Sequence, residues 1–369
     1  MSGLIDSTLR EGAQSPCVMF TLAQKKAIAR IVAAIGIEEI ELGVASNQDP
    51  DLQELVAACR QIAGQLRLAL WSRCRPEDIR VAACLRPDVL SLSLPASERH
   101  IVKRLGKTGS WVLVRLKDSV RLARELGIDY ISLGLEDASR ADQTFLAEMI
   151  GVAVACGVRR IRFADTVGVL TPSATGVLIS TFRRRYPDLE LAFHAHNDFG
   201  LATANALSAL EAGAEWTDVT TLGLGERAGC ARLEELVALL TLVKKEKVYR
   251  VEQLPELCAL VAEVAGRMIA GHHPVVGKAI FTCESGLHVQ GLLNDPVSYE
   301  PFPPERVHAS RTIMLGAKSG ARAVAGYLAS LGLIASAQSL PNIVHDIRKL
   351  AIVLGRPLNE VEVRRLARY

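Results

Sequence analysis

Short β-type runs alternate with longer amphipathic stretches through the first 245 or so residues, and that alternation limits the fold more than any other feature of the chain. The runs are Leu4–Asp6, Glu39–Leu42, Leu66–Trp71, Asp88–Leu94, Tyr130–Leu135, Arg160–Ala164, Leu189–His194 and Thr217–Leu222. Stretches such as LAQKKAIARIVAAIG and LATANALSALEAGA lie between them. Their apolar residues recur at three- and four-residue spacing and stop at Gly, the pattern of an amphipathic helix and its end. Alternation of this kind implies parallel strands, and runs rich in Val, Ile and Leu suit a sheet covered on both faces. Eight units predict a closed (β/α)8 TIM barrel, an α/β fold of roughly 250 residues. An open doubly wound sheet is the rival, but its first turn should carry a Gly-rich fingerprint, and the first turn here reads DSTLREGAQ.

The pattern changes after Lys247. Residues 248–318 read as a linker and a smaller α/β subdomain, rich in Gly, Pro and His and including the proline-crowded YEPFPPERV; residues 319–369 read as a terminal helical segment. The catalytic barrel is therefore expected over 1–247. The charge is +3, from 43 basic and 40 acidic residues mixed along the chain, and no basic stripe with interleaved aromatics suggests nucleic acid. Eight cysteines are scattered singly without a Cys-x-x-Cys pair, which predicts reduced thiols rather than a structural zinc site or a disulfide scaffold. MSGLIDSTLREG resembles neither a secretory nor a transit signal, and no run approaches the roughly 18 apolar residues of a membrane span. A cytoplasmic enzyme acting on small molecules is expected, with neither nucleic acid nor membrane as a partner.

In a TIM barrel the chemistry sits at the C-terminal ends of the strands. Conspicuous polar residues fall there: Asp6, Arg10 and Glu11 after the first strand, Glu136, Asp137 and Arg140 after the fifth, and Asp165 and Thr166 after the sixth. His194, His196, Asn197 and Asp198 end the seventh, and Glu226 and Arg227 lie in GLGERAGC after the eighth. A surface-charge explanation does not predict this placement. His194 and His196, two apart on a strand, project from one face, and two imidazoles with a carboxylate such as Glu11 make a metal site with open positions. A hydrogen-bonded histidine pair is the plainer alternative. Arg10 at the mouth can neutralise an enolate or alkoxide. The glycines of GLGERAGC either let the chain turn tightly or expose backbone amides to an anion. His288, in FTCESGLHVQG beyond the barrel, is either structural or a general base.

DSTLREGAQSP (6–16), EDASRAD (136–142), RFADTVGVLTP (162–172), HAHNDFGLATANAL (194–207), GLGERAG (223–229) and VVGKAIFTCESGLHVQGLL (275–293) together resemble the metal-dependent Claisen-condensing family of homocitrate and isopropylmalate synthases. The likeness covers nearly the whole chain. It implies Glu11, His194 and His196 as ligands of a divalent ion, with Zn, Mn, Co, Fe and Mg all left open. It further implies Arg10, His288 and Glu226 as catalytic groups, and Arg140 with Thr166 as the carboxylate-binding pair. Acetyl-CoA is the implied co-substrate, and a homodimer with exchanged subdomains the implied assembly, His288 arriving from the partner subunit. An acyltransferase making homocitrate from acetyl-CoA and 2-oxoglutarate is the expected activity, of the nitrogen-fixation type. A 2-isopropylmalate or citramalate synthase, a metal-dependent lyase or aldolase, and an inactive regulatory paralogue are the alternatives. No C-terminal regulatory domain of the kind common in the isopropylmalate enzymes is expected after the second unit. The sequence also departs from the pattern. Cys230 stands where many relatives carry an Asn that assists the metal site, and a thiolate can itself be a ligand. Gln290 replaces an expected Asp, Ala317 and Lys318 alter the LGAKSG patch, and no tyrosine is evident to partner His288.

Overall fold

A computed structural model describes residues 3–46, 48–62 and 66–367. Met1, Ser2, Arg368 and Tyr369, which fall within the expected barrel and terminal segment, lie outside the described residues. The chain divides into two compact units, up to Met268 and from Ile269 onward.

The first unit is the expected barrel. Its strands are β1 (Gly3–Asp6), β2 (Glu39–Val44), β3 (Arg67–Arg73), β4 (Val89–Pro95), β5 (Ile131–Glu136), β6 (Arg160–Asp165), β7 (Glu190–Ala195) and β8 (Trp216–Val219). They pair in sequence order, and β8 closes on β1 with Ile5 opposite Asp218. All pairings are parallel, with a helix between successive strands. Local signals set the elements. Thr21 and Gln24 form a reciprocal capping box on the helix Leu22–Ile35, and Gly36 ends it at φ 96°. Thr171 caps the helix Pro172–Arg185, whose last turn carries Arg183, Arg184 and Arg185 against the negative end of its dipole.

Most strand ends shift by one or two residues, and two boundaries differ by more than that from the sequence expectation. β8 stops at Val219 rather than running to Leu222, because Thr221–Gly223 make a tight turn in which Leu222 takes φ 57°. The barrel unit extends beyond residue 247: the helix Leu254–Val264 packs on Leu22–Ile35, and the Arg250 amide donates to the Ile35 carbonyl at 2.9 Å. Loss of strand–helix alternation therefore preceded the end of the compact unit.

Both faces of the sheet are buried, as Leu42, Leu70, Leu92 and Phe163 on one and Ala69, Ser91, Ser132 and Ala192 on the other illustrate. The interior carries charge in two layers. Near the strand starts, Arg160 of β6 donates to both oxygens of Glu39 of β2 at 3.0 and 2.6 Å and to Ser132 at 3.1 Å. Two residues further on, Arg162 donates to Glu41 at 2.8 Å and to Asp218 at 2.9 Å. A strand period of two stacks these pairs on one face.

The second unit has a short parallel ladder, β9 (Thr282–Cys283) with β10 (Thr312–Ile313), followed by mainly helical structure. Leu315, Val324, Leu328, Ile343, Ile347, Leu358 and Val363 form its core. The divisions expected at 318 and 319 thus fall inside one packed unit. No described helix is long and apolar enough to cross a membrane.

Candidate metal centre

The C-terminal ends of β1 and β7 bring three of the expected residues together. After β1 the chain turns sharply: the amides of Arg10, Glu11 and Gly12 all donate to the Ser7 carbonyl. That turn buries Arg10 and Glu11 at the mouth. His194 is on β7, and His196 lies just beyond it, in a bridge to Cys230. The two Nε2 atoms are 3.4 Å apart, and each is 3.9 Å from a Glu11 oxygen, His194 from Oε2 and His196 from Oε1. Candidate ligand atoms of Glu11, His194, His196 and Cys230 all lie within 4.8 Å of one another, and all four residues are buried.

Each first contact is held by another. Asp218 Oδ2 meets His194 Nδ1 at 2.6 Å, which leaves Nε2 for the centre and fixes the ring. Arg162 holds Asp218 and Glu41, and Glu41 accepts from Arg10 Nε at 2.8 Å and from the Ser7 hydroxyl at 2.7 Å. Arg10 also donates to Glu11 Oε2. Burial alone would raise the Glu41 carboxyl, but Arg10 and Arg162 hold it well below the ordinary range. Glu11 follows the same pattern: burial opposes its charge, and Arg10 with the two histidines lowers its pKa. Burial, then His194, pushes His196 down to about 4, so its ring is neutral at pH 7. Cys230 goes the other way, its thiol raised well above normal by burial and by Glu11 and Asp218.

These residues fit a divalent cation. Two imidazoles and a carboxylate converge, and Glu11 Oε1 is buried without a hydrogen-bond partner, as is Asp218 Oδ1. Orphaned buried acceptors are costly unless a charge or donor meets them. An ion at this point would satisfy the first of them and separate the two facing Nε2 atoms.

Arg140 and Thr166 meet through Asp137. Arg140 donates twice to its carboxylate, at 2.8 Å each, while the Asp137 amide donates to Thr166 Oγ1 at 2.8 Å. Asp137 takes φ 61°, which turns the chain there. Arg140 also lines a cavity of about 460 Å³ with Ala96, Glu98, Ile101, Val102 and Phe145. Glu226 is a different case. Its side chain is exposed, beside Arg227, and only its backbone amide bears on Glu11. The carboxylate expected to catalyse is not in the cluster. Arg227 is clamped instead, donating to both oxygens of Asp198 at 2.9 and 3.0 Å and to the Thr166 carbonyl at 2.6 Å.

In the second unit His288 is exposed on the helix Gly286–Asn294. Tyr299 packs against it, with ring centroids 4.4 Å apart and ring planes tilted by 50°. Sequence reading missed this tyrosine, because a proline-rich segment gave no periodicity to orient it. It also missed Glu41, Arg162 and Asp218, whose signal was charge at alternate positions inside otherwise apolar strands.

A family model described as HMGL-like matches residues 2–261, and one described as homocitrate synthase post-HMGL domain-like matches residues 275–353. The chain is 37% identical to 2-isopropylmalate synthase 2 of Caldanaerobacter subterraneus subsp. tengcongensis, over 98% of this chain and 93% of that protein. It is 39% identical to homocitrate synthase of Frankia alni, over 86% of this chain and 90% of that protein. Among solved structures it resembles hydroxymethylglutaryl-CoA lyase from Pseudomonas aeruginosa, with a TM-score of 0.65 at 21% identity, covering 72% of this chain and 94% of that one. That likeness concerns the barrel fold alone.

Proposed function

The chain belongs to the HMGL-like family, and from that premise we propose that it condenses acetyl-CoA with a 2-oxo acid, with 2-oxoglutarate as the acceptor and homocitrate as the product. One observation carries the reading: a buried Glu11–His194–His196 cluster with an unpartnered acceptor at the barrel mouth, and Arg10 held against it. Supporting the acceptor are the match of residues 275–353 to a homocitrate synthase region and the Frankia alni relative.

Glu11, His194 and His196 would hold the ion, with Asp218 keeping His194 in the tautomer that offers Nε2. When bound, a divalent ion supplies Lewis-acid polarisation of the 2-oxo carbonyl. The residues of the chain do the rest. Arg140, positioned by Asp137, and Thr166 take the acceptor's carboxylates. His288 is the base that removes a proton from the acetyl methyl, and Tyr299 positions its ring. The carbanion attacks the 2-oxo carbon, and the alkoxide that forms is stabilised by Arg10, whose charge Glu41 and Glu11 secure. Hydrolysis of the thioester then releases CoA and makes the reaction effectively irreversible. We further take the assembly to be a homodimer in which His288 acts on the partner's substrate.

A second acceptor has a specific observation behind it: the 2-isopropylmalate synthase relative matches over nearly the whole chain, and that product would need 2-oxoisovalerate. Thiol release from acetyl-CoA, followed with metal-reconstituted protein and a panel of 2-oxo acids, separates the two. The highest kcat/KM with 2-oxoglutarate supports homocitrate. A preference for 2-oxoisovalerate, pyruvate or oxaloacetate moves the acceptor but keeps the chemistry, and no release with any of them contradicts the condensation.

A further inference from the structure

Cys230 is the one member of the cluster that belongs to none of the proposed catalytic roles. We propose that its sulfur is a fourth protein ligand of the ion, and that it turns the centre from one suited to magnesium or manganese into one selective for thiophilic ions such as zinc, cobalt(II) or iron(II). The inference rests on the metal-site reading but not on the choice of acceptor.

The backbone delivers the sulfur with little freedom. The loop after β8 folds back, so that Cys230 bridges His196, its amide donates to the Gly223 carbonyl at 3.1 Å, and the Asn197 amide donates to the Gly229 carbonyl at 2.9 Å. Two glycines permit this. A Cβ at Gly229, which takes φ 91°, would lie 1.9 Å from the Gly223 carbonyl oxygen; a Cβ at Gly225 would lie 2.8 Å from Cys230 Sγ. Gly225 thus leaves the space the sulfur fills. The sulfur is fully buried, 3.8 Å from His196 Nδ1, and within 4.8 Å of the nearby ligand atoms. A second observation points to a ligand there: Glu11 Oε1, in the same cluster, is buried with no hydrogen-bond partner.

Charge and softness then select the ion. Two neutral imidazoles, one carboxylate and one thiolate formally cancel a divalent charge in a buried site. A neutral amide at position 230 would leave one positive charge uncompensated. Thiolate favours the softer ions, whereas oxygen donors suit magnesium and manganese. On binding, the Sγ–metal bond replaces one water of the aqua ion, and the thiol proton leaves to solvent.

Cobalt(II) titration of the full-length, chelator-treated protein tests this without any turnover. The wild type should take up one cobalt per chain and show a near-ultraviolet thiolate-to-cobalt charge-transfer band. Cys230→Ser should retain the weak visible cobalt bands but lose the charge-transfer band. Cys230→Asn, competed between zinc and manganese, should lose roughly tenfold or more of the zinc preference, since even outer-shell changes cost about 10–100-fold in affinity. A wild-type cobalt complex with visible bands but no charge-transfer band would overturn the ligand assignment alone. So would a band that persists in Cys230→Ser. No cobalt uptake by folded wild type would overturn the metal site itself, and with it this inference. Should either variant fail to fold, judged by circular dichroism, Cys230→Ala serves as the second probe of the same band.

Discussion

The barrel interior uses the same pair of residue types twice, and the two layers behave differently. In the lower layer Arg160 donates to both oxygens of Glu39 and, through Nε, to Ser132, and Arg67 Nη1 lies 3.6 Å from Glu39 Oε2. Tyr130 and Trp216 flank the guanidinium, with ring centroids 5.5 and 5.0 Å away, and both donate to Glu190. Among the described residues, none of these buried oxygens lacks a partner. In the upper layer Arg162 is divided between Glu41 and Asp218, and those acids are passed on, Glu41 to Arg10 and Asp218 to His194. Two acceptors in this layer, Glu11 Oε1 and Asp218 Oδ1, have no partner. One ion pair fills the barrel; the other, two residues higher on the same strands, passes its charge on to the candidate metal centre.

This contrast can be broken from either side. The largest effect is expected from Arg160→Met, which strands a fully buried Glu39 and should cost about 3–5 kcal/mol of stability. Urea unfolding would read this, while kcat of the folded fraction stays near wild type; a large loss of kcat would mean that the lower layer also serves the site. Next is Arg10→Ala, expected to lower kcat by about 10²–10³-fold through loss of oxyanion stabilisation, measured as thiol release at saturating acceptor. An unchanged kcat would remove Arg10 from the chemistry. Asp218→Asn should weaken metal affinity by about 10–100-fold, by loosening His194, with a small change in melting temperature. Competition with a chromogenic chelator measures it, and unchanged affinity would make Asp218 a purely structural partner of Arg162.

The smallest expected effect is a pH dependence. Asp6, at the top of β1, has a carboxyl that burial raises to about 7, against the hydrogen bonds from Thr8. Its neutral form is favoured in the folded chain. The resulting stability is therefore fully present below about pH 4 and lost as pH rises through about 7. Asp6→Asn, neutral throughout, should flatten the melting temperature between those limits. Parallel curves for the two proteins would deny Asp6 this role.

Much of this was legible in the sequence, for identifiable reasons. The eight strands follow from apolar runs between Gly-ended helical stretches, because a parallel barrel buries both faces of its strands and so makes them near-continuous apolar runs. His194, His196, Arg10 and Glu11 stood out because polar residues concentrate where barrel strands end. The supporting layer was harder to read. Glu39 and Glu41 in EIELG, and Arg160 and Arg162 in RIRFAD, look like scattered charges until β2 and β6 are seen to face each other across the interior. Their i, i+2 spacing was the available signal. Tyr299 could not be oriented within a proline-rich stretch, and the exposed Glu226 side chain shows that a motif can fix a backbone amide rather than a carboxylate.

One paired measurement tests metal-dependent condensation at this centre most directly: metal stoichiometry and acetyl-CoA thiol release, made on the same preparations of wild type, Glu11→Gln and His194→Ala. One ion per chain in the wild type, with ion and thiol release lost together in both variants and restored to the chelated wild type by added metal, is the predicted result. Thiol release that persists in chelated, metal-free protein, or in variants that hold no ion, would contradict it.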